Sequence, residues 1–253
     1  AFAKVAPTYG EADFLVREID RRMQDRLDFV RLDPKLIVDR GCSRGASLSA
    51  LMARYPAAAA LGVDLLPEML RQDAKAPAWR RWLPFARESG PLFTAGDAER
   101  LPVKSGSVGL VWSNLLLHWL DTPLPALAEA HRALEVGGLL MFSTLGPDTL
   151  KELRGAFSDG YAHTQRFADM HDLGDMLVEA GYADPVMDME VLTLTYDSFS
   201  ALLGDLRGAG SRCAMRARNR GLSGKAAWTA ARAAYEGLRQ GGKLPATFEV
   251  VYG

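Results

Sequence analysis

Cysteine is nearly absent: the 253 residues hold two, Cys42 and Cys213. Neither a disulfide framework nor a cysteine metal quartet can be built from two thiols, and both are expected to be reduced. Of the four histidines, His131, His163 and His171 have no ligand-like spacing. No apolar run approaches the ~18 residues that span a bilayer, and no signal-peptide pattern opens the chain. The expectation is therefore a soluble, cytoplasmic protein, and the missing initiator Met reads as trimmed ends. A dominant charge is lacking too. Thirty Lys and Arg against 31 Asp and Glu leave a net charge of −1, so any electrostatic signal must be local. Repeats and low-complexity tracts are missing as well. With 48% hydrophobic residues, the chain can bury a substantial core.

What is present alternates. Residues 1–10, broken by Pro7 and Gly10, predict an irregular arm. Leu15, Ile19, Met23 and Leu27 at i,i+4 spacing predict a helix over residues 11–30 with a charged, solvated opposite face. Apolar runs at 35–39, 59–64, 92–97, 107–114 and 139–144 predict strands, the first suited to a buried parallel position. Helices are expected over 46–55, 67–74 and 124–134, the last ended by Gly137-Gly138 as a C-cap. Residues 75–90, rich in Pro, Trp and Arg, read as a connection. Further helices are predicted at 150–156 and 170–181, and strands at 186–196 and 248–252. Strands alternating with helices imply a mainly parallel α/β sheet with right-handed crossovers. The division expected is an arm and helix (1–30), a main domain (31–196 plus 243–253) and a helical insertion or lid (197–242).

The chemistry converges on residues 38–45, where a strand, a glycine-bearing turn and a helix make the phosphate- or nucleoside-binding corner of a doubly wound sheet. Asp64 ends the second strand 19 residues beyond Gly45, near the ~20-residue spacing at which an acid reaches ribose hydroxyls. An ionised carboxylate can accept from both hydroxyls of a vicinal diol. The same Asp64 could instead cap the helix at 67–74, and both readings stand at this point.

Four features occur in order: Asp39-x-Gly41-Cys42-x-x-Gly45, Val63-Asp64, Gly96-Asp97-Ala98-Glu99-Arg100-Leu101-Pro102 and Ser113-Asn114-Leu115. Together they resemble class I S-adenosylmethionine-dependent methyltransferases. The resemblance implies a Rossmann-like, doubly wound seven-stranded sheet, mostly parallel with the last strand antiparallel. It implies S-adenosylmethionine as cofactor, S-adenosylhomocysteine as product and no metal. The turn carrying Asp39, Gly41, Ser43 and Gly45 would let backbone approach the methionine portion. Asp64, with Leu65 beside it, would hold the ribose. Asp97 would accept from the adenine amine while the Ala98 N–H donates to a ring nitrogen, and Asn114 would line the floor beside the methyl. Two letters depart from the family's Asp-x-Gly-x-Gly-x-Gly. Ser43 replaces the second glycine, strained if its φ is positive and harmless if negative. Arg40 replaces a small or apolar residue, so its charge is expected to escape to solvent or meet a carboxylate. Cofactor binding is expected to be intact but weakened, with Ser43→Gly plus Arg40→Leu tightening it.

A narrower resemblance runs through Ala1-Phe2-Ala3-x-x-Ala6-x-x-Tyr9, Trp112-Ser113-Asn114-Leu115-x-Leu117-His118-Trp119, the Phe142–Leu153 segment with its Gly146-Pro147-Asp148-Thr149-Leu150, and the closing run 244–253. These are similar to the malonyl-acyl-carrier-protein O-methyltransferase family of biotin synthesis. The resemblance implies esterification of the free carboxylate of a malonyl thioester on acyl carrier protein, disguising it as a primer for fatty-acid elongation. A carboxyl of pKa ~4 is already ionised at neutral pH, so the protein must supply positioning and dryness rather than a base. Tyr9 would close over the methyl and carboxylate, or merely pack. His118 would hydrogen-bond the substrate, or be structural. The carrier is acidic, so its dock should be basic. Residues 206–235 contain no Asp or Glu but hold Arg207, Arg212, Arg216, Arg218, Arg220, Lys225 and Arg232. That stretch is a dock for carrier and phosphopantetheine, or a solvated face, and one or two of its arginines could clamp the malonyl carboxylate. Three other readings compete: an RNA methyltransferase, for which no RNA-binding module is visible; an arginine-hydroxylating assembly factor sharing the Leu-His-Trp run; and a degenerate binding module. Neither nucleic acid nor membrane is expected as a partner, and a monomer is favoured.

Overall fold

The structure, a computed structural model, describes residues 2–70, 90–211, 213, 215, 218 and 224–253. Five strands come first: β1 (Leu36–Arg40), β2 (Ala59–Asp64), β3 (Leu92–Ala95), β4 (Val108–Asn114) and β5 (Leu134–Leu145). All pair in parallel. Two more, β6 (Asp188–Tyr196) and β7 (Leu244–Tyr252), join antiparallel. The order across the sheet is β3-β2-β1-β4-β5-β7-β6. Residues 108–113 of β4 are all buried, because helices cover both faces there and neither face can be polar. The edge strand β6 alternates half-buried with exposed side chains, as a strand covered on one face does.

The helices are α1 (Phe2–Val5), α2 (Phe14–Arg26), α3 (Ala46–Arg54), α4 (Pro67–Leu70), α5 (Leu124–Ala133), α6 (Lys151–Ala156), α7 (Met170–Glu179), α8 (Phe199–Gly208) and α9 (Lys225–Glu236). Successive β1 residues point to opposite faces. Ile37 meets Ile19 and Met23 of α2 and Leu48 of α3 on one face. Val38 meets Ala126 and Ala130 of α5 and Leu177 of α7 on the other. Helices α8 and α9 share a third cluster with α6 and β7, in which Phe199, Leu202 and Tyr235 lie with Leu153, Leu244 and Phe248. The Tyr235 hydroxyl donates to the Pro245 carbonyl at 2.6 Å. Among the described residues no helix is long and apolar enough to cross a membrane.

Several boundaries differ from the sequence expectation. Gly137-Gly138 do not cap α5. The helix ends at Ala133 and Leu134 (φ −64, ψ 137) turns directly into β5, which contains both glycines. A Cβ on Gly138 would lie 2.9 Å from the carbonyls of Val108 and Glu135, where the β4–β5 register shifts. The pair therefore serves a bulge. The arm is not wholly irregular, for it holds α1 and a single 3-10 turn at Tyr9–Glu11. Strand β7 starts at Leu244, not Phe248. Of the helix expected at 67–74, Pro67–Leu70 is described; residues 71–74, and the connection up to residue 89, lie outside the described residues.

Candidate active site

The corner forms where β1 ends against β2. Gly41 and Gly45 have φ of 69° and 77°, which glycine adopts freely. The amides of Gly41 and Cys42 both donate to the Val63 carbonyl, at 2.8 and 3.2 Å, fastening the turn to β2. Ser43 has φ of 50°, the strained branch of the sequence expectation, worth about 1–2 kcal/mol for a residue with a Cβ. Its Oγ is buried without a hydrogen-bond partner among the described residues. Asp64 receives the Ser43 amide on Oδ2 and the Leu66 amide on Oδ1, both at 2.9 Å. One carboxylate thus pins the turn and braces the entry to α4. Asp64 does not cap the helix as one sequence reading had it, since the Leu66 amide precedes Pro67, and each of its oxygens retains a further lone pair.

Asp39 is 2% exposed and pairs across the sheet with Trp112. The Trp112 indole N–H donates to Asp20 Oδ1 at 3.0 Å, and Gln24 donates to Oδ2 at 2.6 Å. Burial, then the charges of Asp20 and Asp64, holds the Asp39 carboxyl well above the usual carboxylate range. Burial likewise raises Asp20. The sequence reading missed Asp20, although an acid between Ile19 and Met23 on the inward stripe of α2 is itself a signal.

Arg40 corrects an expectation. It neither escapes to solvent nor pairs directly with a carboxylate. Its neighbour Asp39 faces α2, so the pleat sends Arg40 beneath α5, where it is fully buried. Nη1 donates to the Ala126 carbonyl at 2.5 Å, while Nε and Nη2 find no partner among the described residues. Burial pushes the guanidinium down to about 10, partly offset by Tyr182, Glu129 and Asp39.

The other expected cofactor residues border the same edge. Asp97 is exposed at the end of β3, accepting from the Glu99 amide at 2.9 Å, with Ala98 half-buried beside it. Leu65 is 68% exposed next to Asp64. Asn114 closes β4, but its amide is engaged: Nδ2 donates to the Val16 carbonyl at 2.9 Å and Oδ1 accepts from Ser143 at 2.7 Å. Tyr9 is buried and clusters with Ala6 and Met69. Burial, with Asp13 and Asp64 nearby, pushes its hydroxyl up to about 12. Phe2 stacks edge-on against Tyr9 at 6.3 Å and Trp119 at 4.8 Å. Gly10 abuts the Arg44 guanidinium so closely that a Cβ there would displace it. The arm therefore covers the corner.

Beyond β4 and β5 opens a cleft of about 1300 Å³, walled by residues 117–123, 161–169 and the start of α7. His118 lies in it, 3.4 Å from the Thr144 hydroxyl and edge-on to Phe167. Burial pushes its imidazole down to about 3. Two arginines in the cleft, Arg154 and Arg166, were missed by the sequence reading. Neither stands in a charge run or a spaced motif, so no local signal marked them. Of the basic stretch, Arg207 is exposed at the end of α8, and Arg218 is exposed with Nη1 donating to the Met215 carbonyl at 3.3 Å. Arg212, Arg216 and Arg220 lie outside the described residues.

Residues 38–142 match the family described as "Methyltransferase domain". An S-adenosylmethionine-dependent methyltransferase from Thermotoga maritima superposes with a TM-score of 0.53 at 18% identity, covering 99% of this chain and 96% of that one. The sheet order with its antiparallel β7 is thus that of the class I methyltransferases. The whole chain aligns at 51% identity with 86% of the malonyl-[acyl-carrier protein] O-methyltransferase of Laribacter hongkongensis. It aligns at 48% with 86% of the enzyme of the same name from Nitrosospira multiformis. The chain belongs to the malonyl-[acyl-carrier protein] O-methyltransferase family.

Proposed function

We infer that the chain transfers a methyl group from S-adenosylmethionine to the free carboxylate of a malonyl thioester on acyl carrier protein, as in biotin synthesis. The observation that carries this reading is full-length identity near one half to relatives of that name. The corner's own atoms suit the cofactor. A buried carboxyl at Asp39 beside two other acids gains when a cationic amino-acid group arrives. The orphaned Ser43 Oγ offers a hydrogen bond, and Asp64 keeps free lone pairs for a diol.

The bound cofactor supplies an electrophilic methyl on a sulfonium. The acceptor carboxylate needs no base, since it is ionised near neutrality, so this chain's residues position and dehydrate. The Gly41–Gly45 backbone would hold the methionine portion, Asp64 with Leu65 the ribose, and Asp97 with the Ala98 amide the base. Asn114, locked by Val16 and Ser143, makes a rigid floor. Tyr9, raised to about 12, stays a neutral hydroxyl and closes the arm over the reacting groups. His118, lowered to about 3, is a neutral hydrogen-bonding wall. The basic stretch with Arg207, Arg212, Arg216, Arg218 and Arg220 receives the acidic carrier, in the cytoplasm, where the free thiols of Cys42 and Cys213 stay reduced. Incubation with S-adenosylmethionine and malonyl-carrier protein, followed by mass spectrometry, should add the mass of one methylene to the carrier. An unmodified carrier would overturn the reading.

A further inference from the structure

The large cleft has a polarity that the transfer reaction does not by itself require. Its inner wall is neutral: His118 is held uncharged by burial and contacts the Thr144 hydroxyl. Its cations are both on exposed residues. Arg154 is fixed by its own backbone surroundings, Nη1 donating to the Thr149 carbonyl at 3.1 Å and Nη2 to the Pro147 carbonyl at 2.7 Å. Arg166 makes no hydrogen bond or ion pair with any described residue, and neither arginine has a carboxylate within ion-pair distance among them. Two acids of the cleft, Asp121 and Asp172, lie beyond ion-pair distance of both arginines; two others nearby are engaged. Asp169 caps α7 and binds His171 at 2.8 Å, and Asp159 binds His163 at 2.8 Å. Two arginines that face a shared cleft without carboxylate partners leave donor capacity for an anionic ligand.

We propose that Arg154 and Arg166 form an anion seat at the mouth of this cleft for the phosphodiester of the substrate's thioester arm. The proposal rests on the carrier-thioester reading above. A thioester carried on phosphopantetheine has two anions, the acceptor carboxylate and the phosphodiester. The carboxylate must reach the dry inner end beside the methyl donor. There a neutral His118 and Thr144 leave its lone pairs nucleophilic, whereas a bidentate guanidinium would tie them up. The phosphodiester sits at the opposite end of the arm, nearest the carrier, and the exposed cations match it. Arg154, oriented by two carbonyls, gives the seat a fixed direction, and Arg166 adds an unshared fork.

The test uses the wild-type chain, Arg166→Gln and Arg154→Gln, with two probes that bypass turnover. Calorimetric titration should find phosphopantetheine bound about tenfold or more tightly than pantetheine by the wild type, the scale of a charge-assisted contact. That difference should shrink toward unity in Arg166→Gln, while S-adenosylmethionine affinity is unchanged in both variants. In turnover, KM for malonyl-carrier protein should rise by a similar factor at constant kcat. The malonyl thioester of N-acetylcysteamine, which has the carboxylate and no phosphate, should be methylated equally well by all three proteins. Equal losses on both thioesters would assign the arginines to the carboxylate and overturn the seat. So would a wild type that does not distinguish phosphopantetheine from pantetheine. A wild type that methylates neither thioester would instead overturn the reaction reading.

Discussion

Replacing Arg40 by methionine should make the protein more stable, although it removes a hydrogen bond and a charge. The guanidinium is fully buried and donates once, to Ala126, leaving Nε and Nη2 unpaired among the described residues. Its fall from the ordinary 12.5 to about 10 corresponds to roughly 3 kcal/mol for keeping the charge there, at ~1.4 kcal/mol per unit. The two orphaned donors, at about 1–3 kcal/mol each, give the same order. Against this stands one lost hydrogen bond from a charged group, about 1.5–3 kcal/mol. Met preserves much of the length and volume, whereas Leu would leave a void. A net gain of up to about 1.5 kcal/mol follows, each kcal/mol raising Tm by roughly 2–4 °C in a chain of this size. Urea unfolding with equal m-values would measure it. The pH dependence fixes the cause. A cation whose folded pKa lies below its unfolded one carries its full penalty at neutral pH. The penalty is relieved as pH rises from about 10 toward 12.5, so the variant's advantage should narrow in that window. A variant less stable than the wild type at neutral pH would mean that water or Glu129 satisfies the guanidinium, and the reasoning would fail.

Other outcomes follow from the same geometry. Ser43→Gly should relieve the left-handed strain at φ 50° and stabilise the chain by about 1 kcal/mol; with Arg40 also replaced by Leu, calorimetry should find tighter cofactor binding, and an unchanged dissociation constant would make both departures neutral for binding. Asp39 is held above the carboxylate range, so a cationic cofactor must displace its proton. Affinity should therefore rise with pH through that raised value, and Asp39→Asn should flatten the profile; a profile equally steep in the variant would place the proton elsewhere. The same raised carboxyl should make stability decline as pH climbs through its folded pKa, the loss being absent in Asp39→Asn. His118, neutral down to about pH 3, should contribute no limb to the kcat profile between about pH 5 and 8, and a limb that disappears in His118→Asn would refute its neutrality.

Local pattern carried much of this molecule because its strands are central and its helices amphipathic. The run at 107–114 needed no partner to be recognised, since a strand buried on both faces is apolar throughout. Ile19, Met23 and Leu48 were legible as one helical face each. The turn at Gly41–Gly45 was legible because two glycines between an apolar strand and a helix supply the positive φ that the turn adopts. Gly137-Gly138 misled. A glycine pair after a helix suits a C-cap, and only the β4–β5 register reveals the bulge that needs it.

The sequence by itself determined the alternation of strands and helices, the glycine turn after β1 and the family resemblance, because each is written in residues close along the chain. The tertiary structure alone decided where side chains from distant segments meet. It put Asp20 of α2 near Asp39, since Trp112, the neighbour of Asp39 across the sheet, donates its indole N–H to Asp20. It sent Arg40 into the interior, since the pleat that turns Asp39 toward α2 must turn its neighbour toward α5. It gave Ser43 its positive φ, fixed by the Asp64 carboxylate that receives its amide 21 residues away. And it brought Arg154 and Arg166 into one cleft with His118, a juxtaposition that no spacing encodes because burial and charge pairing are properties of the folded surroundings.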